Sequence, residues 1–166
     1  MRELTNLLAK YGTFTKDELR GLVTDGDPEK LSLRAVEMLC KFRAWHNYPT
    51  LITSAYRDDN GTHGMGLAFD QVLYSKWKQS QPNPFELWRI ATTFPFWGVG
   101  MYFDWEVGGE PVVGLHTDIS QESNRPLRWI RQNGVYYYEI DHLVFQSNKE
   151  TVITLKSAIQ NYGRTH

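Results

Sequence analysis

The sequence predicts an α+β fold, a mainly antiparallel sheet flanked by helices. Three observations lead there. A long segment after Pro28 carries apolar residues at helical spacing. Two pairs of β-like runs are joined by turn residues, one pair across Glu106 to Pro111 and the other across Asn133-Gly134. Three places carry the Ser/Thr/Asn-x-x-Glu pattern that opens helices, at Thr15–Glu18, Asn83–Glu86 and Ser147–Glu150.

Taken in order, residues 2–10 suit a short helix. Thr15-Lys-Asp-Glu18 starts another through about Val23. Asp25-Gly-Asp27-Pro28 reads as a loop, with Asp27 as cap and Pro28 in the first turn of the long helix. In that helix Leu31, Ala35, Met38, Phe42 and Trp45 share one face. Leu33, Val36 and Cys40 form a second stripe nearly opposite, so the helix is expected to pack on both sides. Cys40 then reads as a small buried hydrophobe. Pro49 closes the region.

Thr50 to Ser54 reads as a strand leading to Tyr56 and Arg57, the 58–66 stretch as a loop, and Leu67 to Leu73 as a strand carrying Asp70. Ser75 to Gln81 is polar and reads as a surface loop. A helix from Asn83 to about Phe94 comes next, then strands from Gly98 to Phe103 and from Val112 to Ile119. Trp129-Ile130 and Val135 to Tyr138 form the second hairpin. The cap at Ser147–Glu150 predicts a final helix with Val152, Leu155 and Ile159 on one face and Gly163 as its C-cap.

The chain of 166 residues is long enough for one domain with a real core, and no repeat or linker divides it. Hydrophobic residues make up 41%, which argues against disorder. The formal net charge of −1 gives no electrostatic reason to expect nucleic acid or an anionic membrane as partner. No apolar run reaches the length of a membrane span, and the N-terminus lacks the apolar core of a signal peptide. A single cysteine excludes an internal disulfide and fits a reducing compartment.

The chemistry concentrates between Ser54 and Asp70. His63 and Asp70 are seven residues apart, a separation of roughly 23 Å along a strand and about 10 Å along a helix. Both can hold one metal ion only if the chain turns back between them, and Gly64 and Gly66 permit that. Downstream, His116 and Asp118 fall on one face of a short strand. His116 can then be a ligand with Asp118 beside it, either as a base or as the partner that orients the imidazole.

His63-Gly-Met-Gly66-Leu-Ala68-Phe-Asp70, preceded by Ser54-Ala-Tyr-Arg57, resembles the His-x-x-Gly-x-Ala-x-Asp signature of the zinc D-alanyl-D-alanine peptidases, which share a fold with the Hedgehog signalling domain. Gly98-Val-Gly-Met-Tyr102, Leu115-His116-Thr-Asp118 and Arg128-Trp129 fit the short subgroup of that family, in the same order. The resemblance runs from about Phe14 to about Trp129. It implies one Zn2+ held by His63, Asp70 and His116, and a peptidase acting on the stem peptides of bacterial peptidoglycan, as a carboxypeptidase or endopeptidase.

The resemblance also implies that Arg57 lies near the scissile carbonyl, against the plainer reading of a surface ion pair with Asp58 or Asp59. Many relatives carry an acidic residue three positions before the last histidine. Here that position is Val113, so the general base is open between Asp118 and Glu110, whose spacing is closer to the Hedgehog domain's. The missing acid also keeps open a zinc-bearing structural or binding module without catalysis, for example a virion component. The expected protein is a monomer made without a signal peptide. It either acts on the cell wall as a phage lysin or stays in the cytosol.

Overall fold

The computed structural model describes residues 2–14, 18, 21–22, 28–74, 81–121, 126–140, 144–148 and 151–165. The predicted elements at Thr15–Val23 and Asp25–Asp27, the loop over Ser75–Gln81 except Gln81, and the histidines His142 and His166 lie wholly or largely outside them. Among these residues there are four α-helices and eight strands: α1 (Arg2–Tyr11), α2 (Leu33–His46), β1 (Thr50–Ser54), β2 (Ala68–Leu73), α3 (Pro84–Thr93), β3 (Gly98–Val107), β4 (Glu110–Asp118), β5 (Leu127–Gln132), β6 (Val135–Glu139), β7 (Val144–Ser147), β8 (Thr151–Thr154) and α4 (Leu155–Thr165). The strands form one sheet in the order β1-β2-β4-β3-β5-β6-β7-β8. Among the described strands only β3 and β5 run parallel, so the α+β, mainly antiparallel expectation holds.

Alternation along the strands sorts the sheet into two faces. Val99, Met101 and Phe103 of β3, Val113 and Leu115 of β4, and Ile130 of β5 enter one hydrophobic core. The helices cover that face: Ala35, Val36, Leu39 and Phe42 of α2, Leu87 and Ile90 of α3, and Leu155 and Ala158 of α4 join the same cluster. The opposite face carries the polar and aromatic residues described below.

The turns follow their residues. Asn133 (φ 53°) and Gly134 (φ 77°) both take the left-handed conformation that the tight hairpin turn requires, as do Gly108 and Gly109 between β3 and β4. Asn83 caps α3, its Oδ1 accepting from the Glu86 N–H at 3.0 Å.

Three expectations are corrected. The long helix does not start at Pro28. Pro28–Lys30 is a 3-10 turn, and the Ser32 N–H donates to the Gly66 carbonyl at 3.0 Å, so this segment anchors the 58–66 loop instead of continuing the helix. Nor are the two stripes of α2 separate: Leu39 joins Ala35 and Phe42 of one to Val36 and Cys40 of the other in one broad buried face, α1 packs against the helix as well, and Leu33 and Trp45 are exposed. Burial of Cys40 pushes its thiol pKa up to about 11, as suits an inert hydrophobe. Finally, Val144–Ser147 and Thr151–Thr154 pair as the strands β7 and β8, and the last helix opens at Thr154. There Ser157 N–H donates to Thr154 Oγ1 at 3.1 Å and Thr154 N–H donates to Ser157 Oγ at 3.0 Å, a reciprocal cap. Gly163 lies inside this helix.

Candidate metal centre

The 61–66 turn reverses the chain so that His63 and Asp70 meet. Gly66 N–H donates to the His63 carbonyl at 2.9 Å, and Leu67 N–H to that of Thr62 at 2.9 Å. Gly66 has φ +67°, and a Cβ there would sit 2.2 Å from the Lys30 carbonyl oxygen, so glycine is required on both counts. Asp59 ties the loop from inside: its Oδ1 accepts from the N–H groups of Gly61 (2.8 Å) and Gly64 (3.0 Å).

Strand register does the rest. Asp70 of β2 stands opposite His116 of β4, His116 opposite Gly100 of β3, and Gly100 opposite Trp129 of β5. The three candidate ligands are buried, and their donor atoms lie within 4.8 Å of one another. His63 Nε2 is 3.2 Å from Asp70 Oδ2 and 3.3 Å from His116 Nδ1, and His116 Nδ1 is 2.9 Å from Asp70 Oδ1. The outward nitrogen of each imidazole is spoken for. His63 Nδ1 bonds the Ala55 carbonyl, and His116 Nε2 faces Asp118 Oδ2 at 3.2 Å. These contacts fix both rings with their other nitrogen toward the shared centre. Burial disfavours charge on Asp70, yet its hydrogen bonds to His116 and His63 outweigh that and hold its carboxyl well below the usual range. Burial likewise opposes a charge on His116, but hydrogen bonds to Asp118 and Asp70 push its pKa up to about 9. The cluster of His63, Asp70 and His116 could hold a metal ion.

Arg57 lies beside the cluster. Its Nη1 is 3.1 Å from Asp70 Oδ2 and its Nε 3.0 Å from Asp59 Oδ2, so the ligand carboxylate and the surface partner are both engaged. Tyr56 turns away, its hydroxyl taking a hydrogen bond from Lys30 Nζ at 3.1 Å.

The two candidate bases fall elsewhere. Asp118 is buried on the side of the His116 ring turned from the cluster, where its Oδ1 also accepts from the Ser120 N–H at 3.0 Å. Glu110 begins β4 in the turn with Val107, exposed. Six residues of strand, roughly 20 Å, separate it from His116, and it lines a different cleft with Tyr74, Gln81 and Tyr162.

A groove of about 440 Å³ opens beside the ligands, lined by Arg57, Asp70, Tyr102, Asp104, Trp105, Glu106, Arg131 and Tyr136. Trp129 walls the centre itself, with its ring centroid 5.1 Å from that of His116. Tyr102 and Trp105 thus line the groove and Trp129 borders the centre, while Trp97 is partly exposed away from the groove lining. Arg131 and Tyr136 were not singled out by sequence. Their only signal was their place on the strands flanking Asn133-Gly134.

No family model, curated protein or solved structure matches the chain. Among the described residues, no helix is long and apolar enough to cross a membrane.

Proposed function

We propose that the protein is a zinc-dependent peptidase of the D-alanyl-D-alanine peptidase type, with the Hedgehog-like fold of that family, acting on the peptides of bacterial peptidoglycan. The observation that carries the reading is the convergence of His63 Nε2, Asp70 and His116 Nδ1 at 2.9–3.3 Å from one another. Ligands bound to zinc at about 2.0–2.2 Å in a tetrahedron stand about 3.3–3.5 Å apart, so the donor set needs little adjustment. Two imidazoles and one carboxylate suit zinc, and three protein ligands leave a position for water or substrate, the catalytic pattern. Zinc so held supplies a Lewis acid that polarises a carbonyl and acidifies water.

The chain's own residues support the rest. Asp118 keeps His116 in the tautomer that turns Nδ1 to the centre. Arg57, about half-exposed beside Asp70, is placed to donate to the carbonyl oxygen of a peptide lying in the groove, where negative charge develops during attack. Trp129 shields one side of the centre from water.

The position of Asp118 behind the ring, with Val113 where relatives carry an acid, favours one second reading: a zinc-bearing module that binds wall peptides without cutting them. One experiment separates the two. Purified muropeptides are incubated with the zinc-loaded protein, with and without chelator, and resolved by mass spectrometry. Chelator-sensitive cleavage supports the peptidase. Zinc-dependent binding without cleavage supports the module, and neither cleavage nor binding sinks both.

A further inference from the structure

We infer that Arg131 forms a carboxylate-recognition subsite for the substrate, about three to four residues from the scissile bond; this rests on the peptidase reading. Two guanidinium groups line the groove, and they are used differently. Arg57 is paired through Nη1 to Asp70 and through Nε to Asp59. Arg131 has one long ion pair, Nη2 to Asp104 Oδ2 at 3.5 Å, and its buried Nε has no hydrogen-bond partner among the described residues. Its guanidinium carbon stands 5.8 Å from the Tyr102 ring and 5.7 Å from the Tyr136 ring, and those rings meet edge to face at 6.3 Å. A cation held between two aromatic faces keeps its position, and the side chain is 35% exposed where it lines the groove, so its outer N–H groups can meet a ligand.

Beside it, Asp104 Oδ2 is held by the Gly134 N–H at 2.8 Å, while its Oδ1 is buried without a partner. Unsatisfied buried groups are rare and call for a reason. The part-exposed guanidinium of Arg131, which lines the groove, complements a residue that offers a carboxylate.

Register gives the reach. Tyr102, Arg131 and Tyr136 stand opposite one another across β3, β5 and β6, one step along from the row of His116, Gly100 and Trp129. Arg131 is therefore two strands across (about 10 Å) and two residues along (about 7 Å) from His116, roughly 12 Å in all, which an extended peptide covers in about three to four residues. A carboxylate at the end of a cleaved dipeptide would lie too close to the centre to use it. In a wall stem peptide cut between its last two residues, the free α-carboxylate of the γ-linked glutamate sits at about this distance.

The test uses two synthetic stem pentapeptides, L-Ala-γ-D-Glu-L-Lys-D-Ala-D-Ala and its counterpart with isoglutamine in place of glutamate. Zinc-loaded protein is measured for cleavage, and for binding by calorimetry. The expected result is at least a tenfold preference for the acid, in KM or Kd, with kcat little changed. In Arg131→Gln the ratio of acid to amide should collapse toward one with zinc content unchanged, and Arg131→Lys should restore only part of it. Equal handling of acid and amide by the wild-type protein overturns the subsite even if cleavage is robust. A protein that binds and cleaves neither peptide overturns the subsite and the peptidase reading together. The wild-type comparison needs no variant, so a folding defect in Arg131→Gln cannot obscure the outcome.

Discussion

Asp118 Oδ2 lies 3.2 Å from His116 Nε2, on the far side of the ring from His63 and Asp70. The two nitrogens of an imidazole point in divergent directions, so a carboxylate on one is turned from whatever the other binds. Asp118→Asn should therefore weaken zinc binding by about 10–100-fold, with turnover recovering when zinc is added in excess. A chelator competition titration reads the first effect and muropeptide cleavage the second. A fall in turnover of about 10²–10⁴ at unchanged zinc affinity would instead make Asp118 the base.

The ligand set predicts one zinc per chain. His63→Ala and His116→Ala should each lose it, because the remaining two donors hold the ion too weakly at micromolar protein. Metal analysis after gel filtration is the measurement, and full occupancy in either variant excludes that residue as a ligand.

Arg57 shares Asp70 with the centre without being a donor to it. Arg57→Ala should keep the metal and lower kcat by about 10²–10³, the usual loss of one oxyanion donor. Arg57→Lys should recover little, since an ammonium cannot span Asp59 and Asp70 as the fork does. Wild-type turnover in Arg57→Ala would reduce the residue to a tie between loop and sheet.

The cluster of His63, Asp70 and His116 was legible because its residue types sit beside turn-permitting glycines in a recognisable order. Local signals likewise fixed the Asn133-Gly134 turn and the Asn83 cap. Long-range register was not legible: nothing local tells Trp129 that it will stand opposite Gly100, or Arg131 that Tyr102 will be its neighbour. The same limit misled the reading of the tail. Ser147–Glu150 has a helix-opening pattern, but the β7–β8 pairing overrides it and moves the helix start to Thr154. In α2, periodicity found the apolar positions, but not which of them the sheet would cover.

Gly100 offers a test of that register. A Cβ there would sit 2.3 Å from the Trp129 ring, which itself packs on His116. Gly100→Ala must push the indole outward, and overpacking of this kind costs about 1–3 kcal/mol. Denaturant unfolding should show the loss, and zinc affinity should fall with it because the His116 ring loses its support. Stability and affinity both matching wild type would mean that Trp129 does not lie over Gly100.

The last prediction concerns His46, at the end of α2. Its ring meets Phe42 edge to face at 4.4 Å, its Nδ1 accepts from the Tyr48 N–H at 2.9 Å, and its Nε2 is buried without a partner among the described residues. Burial, reinforced by the nearby Arg43 charge, lowers its pKa from 6.5 to about 3. The folded protein thus keeps His46 neutral where the unfolded chain already takes up a proton. The contribution to stability is full above pH 6.5 and is lost as pH falls from there toward 3, by at most about 1.4 kcal/mol per pH unit. In His46→Gln that dependence should vanish while all other titrations remain. Comparing both proteins under chelator by denaturant unfolding at pH 7, 6 and 5 cancels the contributions of Asp70 and His116. The wild type should lose stability more steeply than the variant by close to one proton's slope. Parallel curves would mean that the His46 ring is solvated and free to charge in the folded state.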